Sequence, residues 1–122
     1  MRAVVYFSDR PGSVELRELA DPQPGRGQVL LRVRAVGVCG SDLHHWHGPV
    51  GWAVNYPVVL GHEFAGEIAA VGPDVTEWQV GDRVTCETAA EVCGVCEYCR
   101  TGNYNVCPQR RGFGYGVDGA MA

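Results

Sequence analysis

The chain has 122 residues, of which 46% are hydrophobic and 20% are charged, values typical of one ordinary globular domain. All ten basic residues are arginines, so Schiff-base and P-loop lysine chemistry is excluded within these residues. The formal net charge of −4 argues against a nucleic-acid partner, because nucleic-acid binding depends on neutralising phosphates.

No targeting or membrane segment is evident in the sequence. No apolar run approaches the roughly 20 residues of a membrane helix, and the N-terminus lacks the apolar segment and cleavage site of a signal peptide. We therefore expect a cytoplasmic protein without a membrane partner, in which the six cysteines are reduced.

The first part of the chain is predicted to be β-rich. Residues 2–7 and 14–17 predict two short strands joined by a hairpin turn at residues 9–12, and the second strand alternates as a half-buried strand does. Residues 28–38 predict the clearest strand. One face of this strand is apolar and carries Val29, Leu31, Val33 and Ala35. The other face is basic and carries Arg32 and Arg34.

The middle of the chain begins with a predicted helical turn at residues 41–46, capped by Ser41 or Asp42. A loop rich in glycine and proline follows. Residues 58–71 return to β character, with a bulge or a close backbone approach expected at Gly61 and Gly66.

The last third has turns at residues 72–74 and 80–85, the second entering a strand, and the residues after Cys107 are glycine-rich without evident periodicity. Many short strands, frequent glycine and proline turns and almost no helix predict a mainly β, barrel-like domain.

The strongest chemical signal is a run of four cysteines: Cys93, Cys96, Cys99 and Cys107. The C-x-x-C-x-x-C spacing with a fourth cysteine eight positions later lets sulfurs from one loop converge on a tetrahedral ion. A pair of disulfides is the alternative, but a reduced intracellular chain favours metal. An iron–sulfur cluster is a further alternative, although the last gap is longer than in bacterial ferredoxins. The sequence therefore predicts a metal-binding lobe at about residues 91–108.

Two separated motifs could begin a second metal site: C-G-S-D-L-H at residues 39–44 and G-H-E-F-A-G at residues 61–66. A catalytic zinc has about three protein ligands and one open position, so a thiolate and an imidazole from separate strand ends, with a carboxylate beside the histidine, would suit it. Each motif is weak alone, because a cysteine after a strand is usually a small buried residue and a lone histidine is more often structural.

Two other patterns are discounted. The His62-Glu63 pair resembles the start of a metalloprotease H-E-x-x-H helix, but Gly66 occupies the position of the second histidine. Residues 114–119 match G-x-G-x-x-G, yet no hydrophobic strand precedes them, so they are not expected to bind a nucleotide.

Taken in order, the two separated motifs, Val71-Gly72, the G-D-R-V turn at residues 81–84 and the four-cysteine run resemble the zinc-dependent medium-chain dehydrogenase/reductase family. The resemblance covers that family's GroES-like catalytic domain, which implies a partly open β-barrel with few short helices and a four-cysteine zinc lobe. The stretch C-G-S-D-L-H-H-W is most similar to the polyol and threonine dehydrogenase branches.

The resemblance implies a role for each motif. Cys39 and His62 would bind a catalytic zinc, with Glu63 as a nearby or exchangeable ligand. Ser41 would hydrogen-bond the substrate hydroxyl, and His44 would pass its proton towards solvent. The cysteine set Cys93, Cys96, Cys99 and Cys107 would hold a second, structural zinc.

The same resemblance implies that the full-length protein oxidises a zinc-bound hydroxyl of a small alcohol or polyol by hydride transfer to NAD or NADP, as a homodimer or homotetramer. The family's third protein ligand to the catalytic zinc and its Rossmann domain lie beyond the matched residues. Residues 1–122 are thus expected to be a fragment, inactive alone. The alternative is a stand-alone, zinc-stabilised structural or interaction module.

The remaining candidate residues receive weaker predictions. Cys86 is expected to be a buried free thiol on a strand, and His45 and His47 are expected to be solvated. Three aromatic residues are predicted to line the substrate cleft or to pack in the core: Trp46, Trp52 and Tyr56.

Overall fold

In the computed structural model, which describes residues 1–122, eight short strands form three small sheets that do not close into a barrel. The strands are β1 (Arg2–Tyr6), β2 (Val14–Glu18), β3 (Val29–Val36), β4 (Val58–Val59), β5 (Phe64–Val71), β6 (Arg83–Thr85), β7 (Ala89–Glu91) and β8 (Arg111–Gly112). The helices are α1 (Gly40–His47) and α2 (Glu97–Arg100), with a 3₁₀ helix at Tyr104–Val106. The mainly β prediction is confirmed, and none of the helices has the length and apolarity needed to cross a membrane.

The first sheet has the order β2-β1-β4, with β1 antiparallel to both neighbours. Alternate side chains of β1 point to opposite faces, and both faces are buried. Ala3 and Val5 pack with Val59 on one side, whereas Tyr6 packs with Val58 and Leu60 on the other. The hydrophobic core is therefore centred on β1 and β4.

The second sheet has the order β3-β5-β6, and its long β3–β5 pair contains two register shifts. The predicted alternation of β3 holds in its middle, where Leu31 and Val33 are half-buried and the neighbouring arginines are exposed. It fails at Ala35, which is exposed, because the second shift falls between Val33 and Ala35 and changes which residues share a face.

The predicted β region at residues 58–71 is divided between the two sheets. β4 pairs with β1, whereas β5 pairs with β3 and β6. Gly61 makes the change of direction at φ +100°, a conformation that L side chains rarely adopt. Gly66 is a close approach, since a Cβ there would lie 2.7 Å from the carbonyl oxygen of Arg32. Both predicted glycine positions are thus confirmed as special.

The glycine-rich tail contains more structure than its sequence indicated. β8 pairs with β7 in a third sheet, and residues 119–121 donate backbone hydrogen bonds to the carbonyl oxygens of Val59, Leu60 and Gly61. Strands of two or three residues are too short to show periodicity, which is why the sequence did not reveal them.

The β2 strand differs from its predicted half-buried pattern, because Leu16 is 61% exposed. β2 is an edge strand, and it is Arg17 that turns inward, with its guanidinium 4.9 Å from the centre of the Phe7 ring. The apolar stem of arginine can cover a ring while its charged head remains in water.

Helix α1 is attached to β1 by an aromatic cluster, and here the sequence prediction for His45 was wrong. His45 is only 1% exposed, stacks on Tyr6 with 4.8 Å between ring centres, and meets the edge of Trp52 at 5.6 Å. The Tyr6 hydroxyl donates to the carbonyl oxygen of Gly48, which ends α1.

The histidine His47 is exposed, as expected. The rings of Trp52 and Tyr56 contact this cluster and are partly exposed, so these two residues pack against the core. Trp46, in contrast, is mostly exposed.

Substituting Gly72 with alanine is expected to destabilise the fold by about 2 kcal/mol or more, in the range of overpacked core positions. A Cβ at Gly72 would lie 1.9 Å from the carbonyl oxygen of Gly25 and 3.0 Å from that of Gln28, both of them backbone atoms. Urea unfolding measures the change. Gly51→Ala is the matched control, because nothing lies within 4 Å of its Cβ position. Equal midpoints for the two variants would contradict the expected clash.

Candidate metal centres

The pairing of β3 with β5 brings the two separated motifs to one end of the second sheet. Val36, the last residue of β3, is opposite Phe64, the first residue of β5. The backbone contact continues past the strands, since the Gly37 amide donates to the Glu63 carbonyl oxygen at 2.7 Å. Cys39, just beyond β3, therefore lies beside His62 and Glu63, just before β5.

These three residues form a compact donor set. Their candidate ligand atoms, the thiol of Cys39, an imidazole nitrogen of His62 and a carboxylate oxygen of Glu63, all lie within 4.8 Å of one another. Glu63 packs directly on Gly37, where a Cβ would be 2.8 Å from Oε2. The family resemblance implied Glu63 as a nearby or exchangeable ligand, and the geometry offers it as a third donor.

Helix α1 begins at this donor set. Cys39, and not Ser41 or Asp42 as predicted, is the N-terminal cap, in extended conformation. Ser41 in the first turn has its Oγ 3.2 Å from His62 Nε2. His44 lies almost one turn further along the helix and is exposed to solvent. Ser41 thus contacts the donor set and His44 is exposed, while the roles of both residues in proton transfer stay predictions.

Asp42 is a site residue whose role the sequence reasoning missed. Its side chain is buried, with Oδ2 accepting a hydrogen bond from the Cys39 amide at 2.9 Å and Oδ1 lying 3.5 Å from His62 Nδ1. A carboxylate on one imidazole nitrogen orients the ring and strengthens the other nitrogen as a metal ligand. Asp42 therefore leaves Nε2, the nitrogen that Ser41 Oγ contacts at 3.2 Å, as the one that can bind a metal. The available signal was an acidic residue directly after Ser41, which was read only as a cap.

The donor types fit zinc. Thiolate, imidazole and carboxylate are all common zinc ligands, and three protein ligands with an open fourth position are the pattern of catalytic zinc sites. Cys39 and His62 are half-buried while Glu63 is exposed, so the site is reachable from solvent.

The four-cysteine run forms a second, closed donor set. Cys93 Sγ lies 3.9 Å from Cys99 Sγ and 3.6 Å from Cys107 Sγ. The Sγ atoms of Cys96 and Cys107 are 3.9 Å apart. Four sulfurs around a tetrahedral zinc at ~2.3 Å would be about 3.8 Å from one another. A disulfide would place two of them at about 2.05 Å, and all six cysteines of the chain are free.

Backbone amides support thiolates in this lobe. The Cys96 amide donates to Cys93 Sγ at 3.3 Å, and the Cys99 amide donates to Cys96 Sγ at 3.5 Å. Amides of Val95 and Cys96 lower the pKa of Cys93 to about 6, whereas burial raises the pKa of Cys99 to about 12. The amides thus favour the Cys93 thiolate, and a dication bound among the four sulfurs would offset the repulsion between thiolates.

An open cavity of about 880 Å³ lies between the donor set and the lobe. Its walls include His62, Glu63 and, from the lobe, Tyr104, but not Cys39, Ser41 or His44. Cys86 also lines it, half-buried rather than fully buried, and burial raises the pKa of this thiol. The cavity thus reaches the donor set from the Glu63 side.

Comparisons with known proteins agree with this geometry. The chain is 46% identical over 122 residues to sorbitol dehydrogenase from Halalkalibacterium halodurans, covering all of this chain and 35% of that protein. It is 47% identical over 124 residues to L-threonine 3-dehydrogenase from Saccharopolyspora erythraea, covering 100% of this chain and 36% of that protein. The chain thus spans about a third of the length of these relatives.

A solved structure shows that the fold, as well as the sequence, is similar to that of a dehydrogenase. A protein assigned as a zinc-binding dehydrogenase from Sinorhizobium meliloti 1021, solved with NADP, superposes with a TM-score of 0.86 at 35% identity, over 98% of this chain and 33% of that one. The alcohol dehydrogenase GroES-like domain matches residues 25–122, which include both donor sets. The chain therefore belongs to the family of alcohol dehydrogenase GroES-like domains, as the order of its motifs indicated.

Proposed function

We propose that the protein containing this chain is a zinc-dependent, NAD(P)-dependent dehydrogenase of small alcohols or polyols, and that residues 1–122 are its catalytic zinc domain. The observation that carries this proposal is the open donor set of Cys39, His62 and Glu63, with Ser41 Oγ 3.2 Å from His62 Nε2. The similar proteins are named sorbitol dehydrogenase and L-threonine 3-dehydrogenase, and both of the compounds in these names carry hydroxyl groups, the group that such a site suits.

A zinc ion held by Cys39, His62 and Glu63 would supply Lewis-acid chemistry that lowers the pKa of a substrate hydroxyl. The chain's own residues then orient this site. Asp42 holds the His62 ring from its Nδ1 side, and Gly37 gives the Glu63 carboxylate room to approach.

The proton of the substrate hydroxyl would leave through helix α1. Ser41 Oγ accepts it and donates its own proton onward, because a hydroxyl can do both at once. His44 follows three residues later on the same helix and is exposed, and an imidazole exchanges protons with water near neutral pH. A nicotinamide cofactor would accept the hydride, and we place its binding site in a Rossmann domain outside these residues, since the relatives are about three times as long.

The four-cysteine lobe, at about residues 91–108, would hold a structural zinc. Four thiolates complete a tetrahedral shell and leave no position for substrate. The lobe exposes apolar side chains, Val95 being 75% exposed, with Tyr98 and Val106 also largely uncovered. We propose that these side chains contact another subunit, and that the full-length protein is a cytoplasmic homodimer or homotetramer.

The decisive test is hydride transfer by the full-length protein that contains this chain. Reduction of NAD or NADP, followed at 340 nm with sorbitol, L-threonine and ethanol, is expected for at least one substrate. Ser41→Ala should lower kcat by about 10²–10⁴-fold, as loss of a positioned proton carrier does. Ser8→Ala is the matched control, because Ser8 bonds only residues of the β1–β2 turn. A zinc-loaded protein that reduces neither cofactor would favour the structural-module alternative.

A further inference from the structure

His45 is the one buried histidine of the chain, and no hydrogen bond accounts for its two ring nitrogens. Both Nδ1 and Nε2 are inaccessible to solvent and lack a partner. The ring stacks on Tyr6 and makes a T-shaped contact with Trp52, and neither residue hydrogen-bonds these atoms. Burial lowers the pKa of His45, so the ring is neutral and has one N–H donor and one acceptor to satisfy. Buried polar groups without partners are rare and costly, and ordered water commonly supplies the missing partner.

A second unpartnered atom lies on the same face of the same helix. Asp42 Oδ1 is also buried without a hydrogen bond, while Oδ2 is occupied by the Cys39 amide. Asp42 and His45 are three residues apart and are the two buried residues of α1. Side chains at this spacing are neighbours, with Cβ atoms about 5–6 Å apart. The Asp42 charge acts on His45, since it opposes the effect of burial on the pKa of the ring.

We propose that an ordered internal water bridges His45 to Asp42 Oδ1, and that His45 is thereby a positioning residue for His62. One water hydrogen-bonded to two groups joins polar atoms about 5.5 Å apart, and side chains three residues apart on one helix face are neighbours within reach of such a bridge. The water accepts from the ring N–H and donates to the carboxylate oxygen, so two of the three unpartnered atoms, one ring nitrogen and Asp42 Oδ1, are satisfied at once.

The consequence for the site follows from the position of Asp42. Oδ1 faces His62 Nδ1 at 3.5 Å, longer than a good hydrogen bond. A water held by His45 on the other side of Oδ1 restricts how the carboxylate can rotate, and so fixes the His62 ring that it orients. His45 is in turn held by the Tyr6 ring of β1, so the orientation of His62 is tied to the hydrophobic core. The metal part of this inference rests on the proposed zinc site; the water does not.

His45→Phe is the test variant, because phenylalanine keeps a flat ring against Tyr6 and removes both nitrogens. Zinc affinity of each site is measured by competition with a chromophoric chelator. We expect the Cys39–His62 site to weaken about tenfold, the lower end of what loss of a supporting hydrogen bond causes, and the four-cysteine site to be unchanged. The His62 Nδ1 resonance in ¹⁵N NMR spectra should shift as well, and His45→Gln, which retains polar atoms, should recover part of the affinity.

Trp52→Phe is the matched control, since it disturbs the same aromatic packing and leaves the His45 nitrogens in place. It should lower stability without a selective loss of zinc. Equal zinc affinity in wild type and His45→Phe, or an equal loss in Trp52→Phe, would overturn the positioning role.

A high-resolution crystal structure of the wild type tests the water directly: a water within hydrogen-bond distance of both groups supports the inference, and a dry or directly bonded pair overturns it. A wild type with only the four-cysteine zinc would instead refute the proposed function, and the crystal structure would still decide on the water.

Discussion

Replacing Cys96 with serine is expected to unfold the lobe at residues 91–108 while the two three-stranded sheets stay folded. Cys96 Sγ lies 3.9 Å from Cys107 Sγ and accepts the Cys99 amide, so it is part of the sulfur cluster and also the cap of α2. A serine hydroxyl does not ionise near neutral pH, and it is therefore a poor replacement for a thiolate ligand. Zinc held by four thiolates contributes on the order of 10 kcal/mol of apparent binding energy to the folded state.

The lobe has little else to stabilise it. Helix α2 has four residues, far fewer than the ~12–15 that an isolated helix needs, and neither α2 nor the 3₁₀ helix contains a buried residue. Cys107 is the buried member of the cluster. Because the lobe has no apolar core of its own, loss of its metal removes most of its stabilisation.

Hydrogen exchange and limited proteolysis measure the outcome in Cys96→Ser. Amides of the lobe should lose protection and new cleavage should fall within it, while β1, β4 and β5 remain protected. Cys86→Ser is the matched control, since Cys86 is a half-buried free thiol outside both donor sets. If Cys96→Ser keeps both its lobe protection and its zinc content, the assignment of a structural zinc to this cluster is wrong.

The metal lobe was predictable because its information is local. The C-x-x-C-x-x-C spacing fixes which sulfurs can converge within one short loop, whatever surrounds it. The spatial meeting of Cys39 with His62 and Glu63 needed more, since it depends on the antiparallel register that places Val36 opposite Phe64. The family resemblance supplied that pairing, and no periodicity in the sequence does so.

The burial of His45 could not be predicted for a different reason. A polar stretch with three histidines predicts side chains exposed to solvent. Only the packing of α1 against Tyr6, 39 positions before His45 in the chain, determines which face of the helix is buried. The role of Asp42 was missed with it, because Asp42 shares that inner face. Likewise, β-type residues from 58 to 71 show that strands exist, but they do not show that β4 and β5 enter different sheets.

Cys39→Ala and His62→Ala are expected to remove the second zinc and leave the fold intact. Zinc content should fall from two ions per chain to one in each variant, because either substitution leaves only two of the three donors of the open site. Both residues lie outside the strands, and neither belongs to the buried apolar clusters, so the pairing of β3 with β5 should persist. Metal analysis and circular dichroism together make the measurement.

His47→Ala and Cys86→Ala are the matched controls, because each removes the same donor type from a residue outside the two clusters. In the full-length protein, loss of the open site should lower the rate of NAD(P) reduction at least about a thousandfold, which corresponds to ~4 kcal/mol of lost transition-state stabilisation. A zinc content that never exceeds one, or that neither substitution changes, would contradict the catalytic assignment.

The two sites should also differ in how they release their metal. Four thiolates close the shell in the lobe, whereas Cys39, His62 and Glu63 leave one position open and one ligand, Glu63, exposed to solvent. A chelator can therefore attack the open site directly, but it reaches the lobe zinc only when that lobe opens. We expect a chelator to extract first, from the wild type, the same zinc that Cys39→Ala and His62→Ala remove. Extraction in the opposite order would mean that the open and closed sites have been assigned the wrong way round.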